Sequence, residues 1–442
     1  MFTNRQLGKL LLPLLVEQAL GIFVGMADTV MVSTLGDAAI SGVSLVDMIC
    51  NVLISLFAAL ATGGAVVSSQ MLGANRRGDA CRVSNQLVLV VLGISVAIMI
   101  PMIVFRNQIF GVLFGGVEQA VWDNAMTYLW ITALSYPFIA VYNAGAALYR
   151  SMNRSGMTMV VSVLVNVVNV GGNALCIFGM GMGVEGVAIP TLVSRAVGAL
   201  CMIQLLRNTH LQVHLLQGQW KPDPEMMKEI LHIGVPSGIE NSLFQLGRVL
   251  VVQVIAYFGT VQTAANAVAN VLDSVGVLPG QTINLAMISV VGQCVGARDF
   301  KQARHYTRKL LIWTYIATIC LNVPLLLSLP WILPIFDASP EALELAKKLI
   351  FIHDGMAMLM WPLAFSLPNA LRAASDVRYT MVVALGSMAV FRIVFSYILG
   401  IGLGWGAVGV WIAMIIDWVC RIVFYAARYR SGKWEEKARI AA

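Results

Sequence analysis

Charged residues are scarce in this sequence, since Asp, Glu, Lys and Arg together make up only 12% of its 442 residues. A water-soluble domain of this length needs far more charge to cover its surface. Hydrophobic residues account for 59% of the chain, and the mean hydropathy is +0.81. Apolar stretches of about 20 residues, each long enough to cross a bilayer, recur along the whole length. No strand-like alternation competes with them, so the sequence predicts an all-α, polytopic membrane protein.

Signatures of several other function classes are also missing. The seven cysteines show no C-x-x-C spacing and mostly lie in predicted helices, which favours small core residues over a metal site or disulfides. There is no G-x4-G-K-[ST] sequence, so ATP-driven transport by this chain alone is not expected. Nearly all of the five histidines lie in or beside predicted cytoplasmic loops, and no H-E-x-x-H or G-x-S-x-G motif is present. The sequence therefore predicts neither an enzyme nor a bound cofactor.

What the sequence does contain is an internal repeat at one constant offset, which runs through nearly the whole chain without a gap. The matches fall on turn-forming and polar residues, where chance agreement is hard to obtain. They include Pro13 with Pro236, Glu17 with Glu240, Gly36 with Gly259, Gln70 with Gln293, Ala147-Leu148 with Ala370-Leu371, and Gly183 with Gly406. Internal duplication in an apolar chain is typical of secondary transporters.

Hydropathy predicts twelve transmembrane helices, six in each copy of the repeat. Their approximate bounds are 10–34, 41–70, 84–104, 125–148, 157–178, 187–206, 231–258, 264–294, 310–328, 346–371, 379–400 and 407–427. Arg and Lys concentrate in alternate loops, which by the positive-inside bias places both termini in the cytoplasm. They are spread over many short loops, so the net charge of +7 does not indicate nucleic-acid binding.

An even number of helices per copy means that both copies insert the same way up, as a parallel repeat. The predicted organisation is an amino-terminal six-helix lobe at residues 1–206, a cytoplasmic linker at 207–230 and a carboxy-terminal six-helix lobe at 231–442. A cleft between the two lobes, opened alternately to each side by largely rigid-body movement, is the expected transport route.

Ionisable groups inside the membrane are costly, so each must face a partner, a cavity or water. Glu17 and Asp28 lie on one face of the first helix, and Asn169 and Asn173 are one turn apart on the fifth. A carboxylate with neutral oxygens suits either Na⁺ or a proton, whereas interhelical hydrogen bonding without a transport role is the alternative. For a further set, structural pairing or a position near the membrane surface is at least as good an interpretation: Asp47, Arg195, Arg248, Arg392 and Asp417.

Short motifs at the ends of the predicted helices resemble those of the multidrug and toxic-compound extrusion (MATE) family. They are Ala27-Asp28-Thr29-Val30-Met31-Val32, Gln70-x2-Gly73-Ala74, Gly234-Val-Pro236 and Ala370-Leu371-Arg372. The resemblance covers essentially the whole chain. It implies that Asp28, Asn169, Asn173 and Thr191 form the cation-coupling site of the amino-terminal lobe, with Na⁺ at Asp28, Asn169 and Asn173 if sodium is the coupling ion. Members often have an acid where this chain has Asn173, which argues against a relay of two carboxylates and leaves a one-carboxylate site as the alternative.

The carboxy-terminal lobe departs further from the family pattern. Phe244 stands where one branch has a Glu, and Trp361 where that branch has an Asp. Glu17 and Glu240 form a symmetric pair, expected at the cytoplasmic end of the cleft, where they attract cationic substrate or contact each other. The residues expected to line the substrate cleft are Glu17, Glu240, Phe244, Asn266, Asp273, Trp361 and Asp354.

The resemblance implies an antiporter in the plasma (inner) membrane that exports small, often cationic and amphipathic compounds in exchange for H⁺ or Na⁺. Its expected partners are small-molecule substrates and the lipid bilayer, with no nucleic acid, and the chain is expected to be monomeric. A flippase for lipid or lipid-linked oligosaccharide is the alternative. Such flippases usually carry extra helices or a strongly cationic cavity, and the sequence shows neither clearly.

Overall fold

The computed structural model describes residues 2–336 and 338–441, and within them every regular element is helical. The chain up to residue 206 forms eight α-helices, in which most buried side chains are apolar. They are α1 (Asn4–Ser33), α2 (Asp37–Gly73), α3 (Arg77–Val104), α4 (Arg106–Phe114), α5 (Gln119–Ala133), α6 (Tyr136–Ser151), α7 (Ser155–Ala174) and α8 (Glu185–Leu206). A π-helical segment, Leu175–Gly179, continues α7.

Nine further helices follow in the described part of the chain. They are α9 (Pro224–Ala256), α10 (Thr260–Gly276), α11 (Leu278–Gly296), α12 (Phe300–Ile332), α13 (Pro340–Trp361), α14 (Leu367–Ala373), α15 (Val377–Ser387), α16 (Gly406–Arg430) and α17 (Lys433–Ala441). A 3₁₀ turn, Leu333–Ile335, extends α12. Three π-helical segments join neighbouring helices: Pro362–Ser366, Met388–Val394 and Ser396–Gly402.

The predicted membrane-spanning architecture is confirmed, with a correction at two of the spans. Ten helical segments are each long and apolar enough to cross a bilayer, and the number rises to twelve if two bent pairs count as single spans. The pairs are α5 with α6, bent by 48°, and α10 with α11, bent by 46°. The sequence predicts continuous helices at 125–148 and 264–294. Pro137 and Pro279 stand in the first turn after each break, where a missing N–H and a clashing ring interrupt the helix.

Backbone conformation repeats along with the sequence. Gly36 and Gly259, which match each other in the repeat, precede α2 and α10 with φ of +100° and +101°, a region that favours glycine. Non-glycine residues with positive φ also recur, at Asn75 and Arg298 with the same offset. These equivalent turns show that the duplication extends to local geometry.

The repeat is not free of gaps, which corrects the ungapped alignment. Glu118 and Ser339, which precede α5 and α13, are two positions closer together than the constant offset requires. The positive-φ residues Asn153 and Ser375 are one position closer, and at Gly181 and Gly404 the full offset returns. Each π-helical turn accommodates one extra residue. Among the described residues the carboxy-terminal copy has three such segments against one in the amino-terminal copy, so the two extra segments restore the spacing.

The chain divides into two compact units, residues 2–238 and 239–442, with the boundary inside α9. The connection after α8 belongs to the amino-terminal unit, where polar side chains of α3 bind its backbone. Asn85 Nδ2 donates to the carbonyls of Leu216 at 2.9 Å and Gln219 at 2.8 Å, and Gln86 Nε2 donates to Lys221 O at 2.9 Å. These bonds satisfy backbone groups that leave the helical pattern.

Within each unit, helix packing determines where the polar side chains lie. In the amino-terminal unit, α7 lies between α1 and α8, while α2 packs on α5 and α6. In the carboxy-terminal unit, α10 packs on α13, and α13 on α16. Many large apolar side chains remain exposed, such as Phe23 at 67% and Leu327 at 69%, as expected of a surface that contacts hydrocarbon.

Candidate cation and substrate sites

A cavity of about 430 Å³ lies within the amino-terminal unit, and Asp28, Asn169 and Thr191 line it. Asp28 stands five residues before the end of α1 at Ser33, on the side that meets α7. There its Oδ1 accepts a hydrogen bond of 2.8 Å from Asn173 Nδ2. Asn169, one turn earlier on α7, donates through Nδ2 to Thr191 Oγ1 of α8 at 3.1 Å. The four residues predicted for the coupling site are thus joined in two hydrogen-bonded pairs on three packed helices.

This arrangement offers oxygen atoms that a cation could use. The side-chain oxygens of Asn169 and Asn173 are buried and accept no hydrogen bond from any described residue. Together with the Asp28 carboxylate, they form a set of hard oxygen ligands suited to Na⁺. The same carboxylate can instead carry a proton. Burying an amide oxygen without a hydrogen-bond donor costs free energy, so a cation bound to these oxygens would be stabilised.

Two further ionisable residues line this cavity, and for both the sequence made a structural interpretation at least as good as a functional one. Asp47 of α2 accepts a hydrogen bond of 3.2 Å from the Tyr128 hydroxyl, and Arg195 of α8 donates to Ser135 Oγ at 2.7 Å. With Asp28 they leave two carboxylates against one guanidinium. Their presence inside predicted membrane helices was the available signal, and only packing brings them to the same cavity as Asp28.

Glu17 and Glu240, the symmetric pair of acids, are each engaged by an arginine of their own unit. Arg150 Nη1 lies 3.6 Å from Glu17 Oε1, and Arg372 Nη2 donates to Glu240 Oε1 at 2.5 Å. The two arginines lie at matching places in the repeat, each three positions before the positive-φ residue of the neighbouring turn, so the ion pairs are equivalent. Both acids are neutralised locally, which leaves little free charge to attract a cationic substrate.

A second cavity, of about 220 Å³, lies within the carboxy-terminal unit. It brings together four of the residues predicted for substrate: Phe244, Asn266, Asp273 and Trp361. Asn266 is held by Trp411, whose Nε1 donates to its Oδ1 at 3.0 Å. Asp354, also predicted, is fully buried beside this cavity and contacts it through a histidine.

His353 is that histidine, and it is the exception among the histidines, nearly all of which are predicted to lie in or beside loops. It lies within α13, buried, with its ring edge-on to Trp411 and Trp418 at centroid distances of 5.0 and 4.7 Å. Its Nδ1 is 2.9 Å from Asp273 Oδ1 and 3.2 Å from Asp354 Oδ1. The three residues could hold a metal ion, since their ligand atoms lie within 4.8 Å of one another. They equally well form a histidine bridge between two carboxylates.

Asp417 of α16 is also fully buried and lies between two arginines. Its Oδ2 is 3.1 Å from Arg392 Nη2, and its Oδ1 is 3.0 Å from Arg421 Nε. The interpretation of Arg392 and Asp417 as a structural pair therefore agrees with the geometry. Arg392 nevertheless lines the second cavity, together with Arg248 of α9.

A duplicated bundle of membrane helices, with a cavity inside each unit, is typical of polytopic membrane transporters. The model of the MatE family matches the chain twice, at residues 13–175 and 236–398. The two matches are displaced by the offset of the internal repeat and together cover more than half of the sequence. The chain belongs to the MatE family.

Relatives of known name support the same assignment along nearly full lengths. The chain is 28% identical to the "Uncharacterized transporter YisQ" of Bacillus subtilis, over 96% of this chain and 94% of that protein. It is 26% identical to the "Probable multidrug resistance protein NorM" of Thermotoga maritima, over 98% and 94%.

Solved structures show the same fold. An outward-facing multidrug resistance MATE family transporter of the MOP superfamily matches with a TM-score of 0.89 at 20% identity, covering 98% of this chain and 96% of that one. A MOP superfamily transporter from Pyrococcus furiosus Vc1 matches with a TM-score of 0.87 at 21% identity, covering 97% and 96%. At these identities the likeness concerns the fold alone.

Proposed function

We propose that this transporter is a secondary antiporter that exports small amphipathic compounds, cationic ones among them, in exchange for H⁺ or Na⁺. The observation that carries the proposal is Asp28, a membrane-embedded carboxylate in a cavity, hydrogen-bonded to Asn173 at 2.8 Å beside amide oxygens that lack donors. An intramembrane carboxylate at such a place can bind and release a cation as the cavity changes access. Several relatives bear the name "Probable multidrug resistance protein", which supports export of diverse small molecules.

The proposal includes the cycle and the setting. Residues 1–206 and 231–442 move largely as rigid bodies, exposing the cavities to alternate sides of the plasma membrane. Both termini are cytoplasmic, as the distribution of Arg and Lys favours, and one chain suffices for transport. No cofactor takes part, since the energy comes from the ion gradient.

The test uses the purified full-length protein in liposomes loaded with a fluorescent cationic dye. Proton and sodium gradients are imposed separately, and dye efflux is followed in each case. We expect efflux under one of the two gradients, and the effective gradient identifies the coupling ion. Asp28→Asn keeps the size of the side chain and its hydrogen bond to Asn173 but removes the charge. We expect it to reduce gradient-driven efflux at least tenfold, to the leak rate.

Asp37→Asn is the matched control, because it makes the same chemical change at an exposed position in the first turn of α2. Its efflux should equal that of the unchanged protein. Normal efflux by the Asp28→Asn variant at equal protein content would refute the role of Asp28. Movement of a fluorescent lipid analogue, with no dye efflux under either gradient, would favour the flippase alternative.

A further inference from the structure

The cavity of the carboxy-terminal unit contains a guanidinium group that no described residue engages. Arg248 lies in α9, a candidate membrane span, yet its side chain is exposed and lines this cavity. It donates no hydrogen bond to any other residue that the structure describes. A charge within hydrocarbon costs several kcal/mol, so this group must face the cavity or its water instead of lipid. It is therefore free to receive a ligand.

A second arginine of the cavity is only partly satisfied. Arg392 is 4% exposed, and its Nε is buried without a hydrogen-bond acceptor among the described residues. Among the described residues it forms an ion pair with one carboxylate, that of Asp417, which is shared with Arg421. Two guanidinium groups against one carboxylate leave one positive charge uncompensated. A buried donor without an acceptor is costly, so an added anionic oxygen would be stabilised there.

The carboxylates beside the same cavity offset this excess only in part when His353 is protonated. Asp273 lies 2.9 Å from His353 Nδ1, and the same nitrogen is 3.2 Å from Asp354. The acidic side is thus engaged by the histidine, which contributes a positive charge of its own when protonated. With His353 protonated, the two aspartates and the histidine carry one net negative charge, whereas Arg248 and the Arg392–Asp417–Arg421 group carry two net positive charges. One positive charge then remains in the cavity, and its complement is an anion.

Aromatic side chains form the rest of the wall. Trp361 and Phe365 stack with ring centroids 5.3 Å apart, and Phe365 meets Trp418 edge-on at 5.8 Å. The Arg392 guanidinium lies over the ring of Phe244, 5.0 Å from its centroid. Such surfaces bind flat apolar rings, while the arginines bind carboxylate, sulfonate or phosphate oxygens.

We propose that this cavity, of about 220 Å³, binds small aromatic anions, with Arg248 and Arg392 holding the anionic group and the aromatic wall holding the ring. Aromatic acids then belong to the substrates, in addition to the cationic compounds of the proposed function. That these anions are transported, and not only bound, rests on the proposed function. It is tested by binding at equilibrium without any gradient, so that failure of one does not imply failure of the other.

The experiment is isothermal titration calorimetry on the purified full-length protein in detergent. Three probes share one ring system: 2-naphthoate is the anion, 2-naphthylmethylammonium the cation and 2-naphthamide the neutral form. We expect saturable binding that is strongest for 2-naphthoate. Arg248→Gln should weaken the binding of 2-naphthoate about tenfold, equivalent to about 1.4 kcal/mol, and leave the affinity for 2-naphthamide unchanged. Arg248→Lys, which keeps the charge, should retain most of the affinity.

Arg308→Gln is the matched control, because it removes one exposed guanidinium of α12 that does not line the cavity. It should bind all three probes as the unchanged protein does. The inference is overturned if 2-naphthoate binds no tighter than the ammonium probe, or if Arg248→Gln and Arg308→Gln bind it equally. Absence of 2-naphthoate binding in a protein that retains gradient-driven dye efflux would overturn this inference and leave the proposed function standing.

Discussion

Neutralising Glu240 should destabilise the carboxy-terminal unit before it affects substrate recognition. The change Glu240→Gln removes the negative charge that faces Arg372 and keeps the size of the side chain. The two side chains are 8% and 15% exposed, so the arginine loses its counter-charge in a largely buried setting. Asn369 Oδ1 remains as an acceptor for Arg372 Nη1 at 2.8 Å, which relieves part of the loss.

The magnitude follows from burial and contact distance. Removing one partner of a buried ion pair costs about 3–5 kcal/mol of stability. Because Arg372 keeps one acceptor, Glu240→Gln should cost about 3 kcal/mol. The equivalent Glu17→Gln should cost about 1–2 kcal/mol, because its contact with Arg150 is longer, at 3.6 Å. Glu435→Gln serves as the control. Its partner Arg304 is 53% exposed, and such a pair contributes at most about 1 kcal/mol.

Unfolding can be followed through the protein's own thiols. Cys50, Cys81 and Cys294 are buried at 2%, 3% and 0% exposure, so a thiol-reactive dye labels them only as the helices separate. The thermal midpoint in detergent should decrease most for Glu240→Gln, less for Glu17→Gln and least for Glu435→Gln. The double variant Glu240→Gln/Arg372→Gln should recover part of the lost stability, since no unpaired charge remains.

Efflux by the same variants separates a structural role from a substrate role. If Glu240 serves mainly as the partner of Arg372, the double variant recovers transport together with stability. A double variant as unstable as Glu240→Gln would refute the ion-pair argument. A stable double variant without any efflux would show instead that the Glu240 charge acts on the substrate.

Two predictions concern glycines. A Cβ at Gly63 would lie 2.6 Å from the backbone oxygen of Ile230, so Gly63→Ala should lower the free energy of unfolding by about 1–3 kcal/mol. Gly21→Ala is the control and should leave the free energy of unfolding unchanged, because a Cβ there would have nothing within 4 Å. Equal midpoints in the thiol assay would contradict this close approach. Gly36→Ala and Gly259→Ala, both at φ near +100°, should each lower the free energy of unfolding by about 1–3 kcal/mol, and by similar amounts. Unequal decreases in the thiol assay would show that the two turns are not equivalent.

The sequence by itself determined the features that depend on local composition and spacing. Length and apolarity specify membrane helices, because lipid leaves the backbone no other partner than itself. The recurrence of Pro13, Glu17 and Gly36 at one offset revealed the duplication, and the family model matches the same two copies. Asp28 could be singled out from the sequence because a carboxylate within an apolar membrane helix is costly and therefore indicates a functional site. Its role in coupling remains a prediction.

Only the tertiary structure decided which polar groups meet. No residue near Glu240 in the sequence indicates its pairing with Arg372, which lies far along the chain. His353 lies inside the predicted helix 346–371, but only packing places it between Asp273 and Asp354. The π-helical segments, which shift the register of the repeat, also escape an analysis of helical periodicity, since one extra residue per turn leaves the apolar pattern nearly unchanged. Ion pairs and cavities depend on contacts between distant helices, and these are set by how whole faces pack, which no single stretch of sequence encodes.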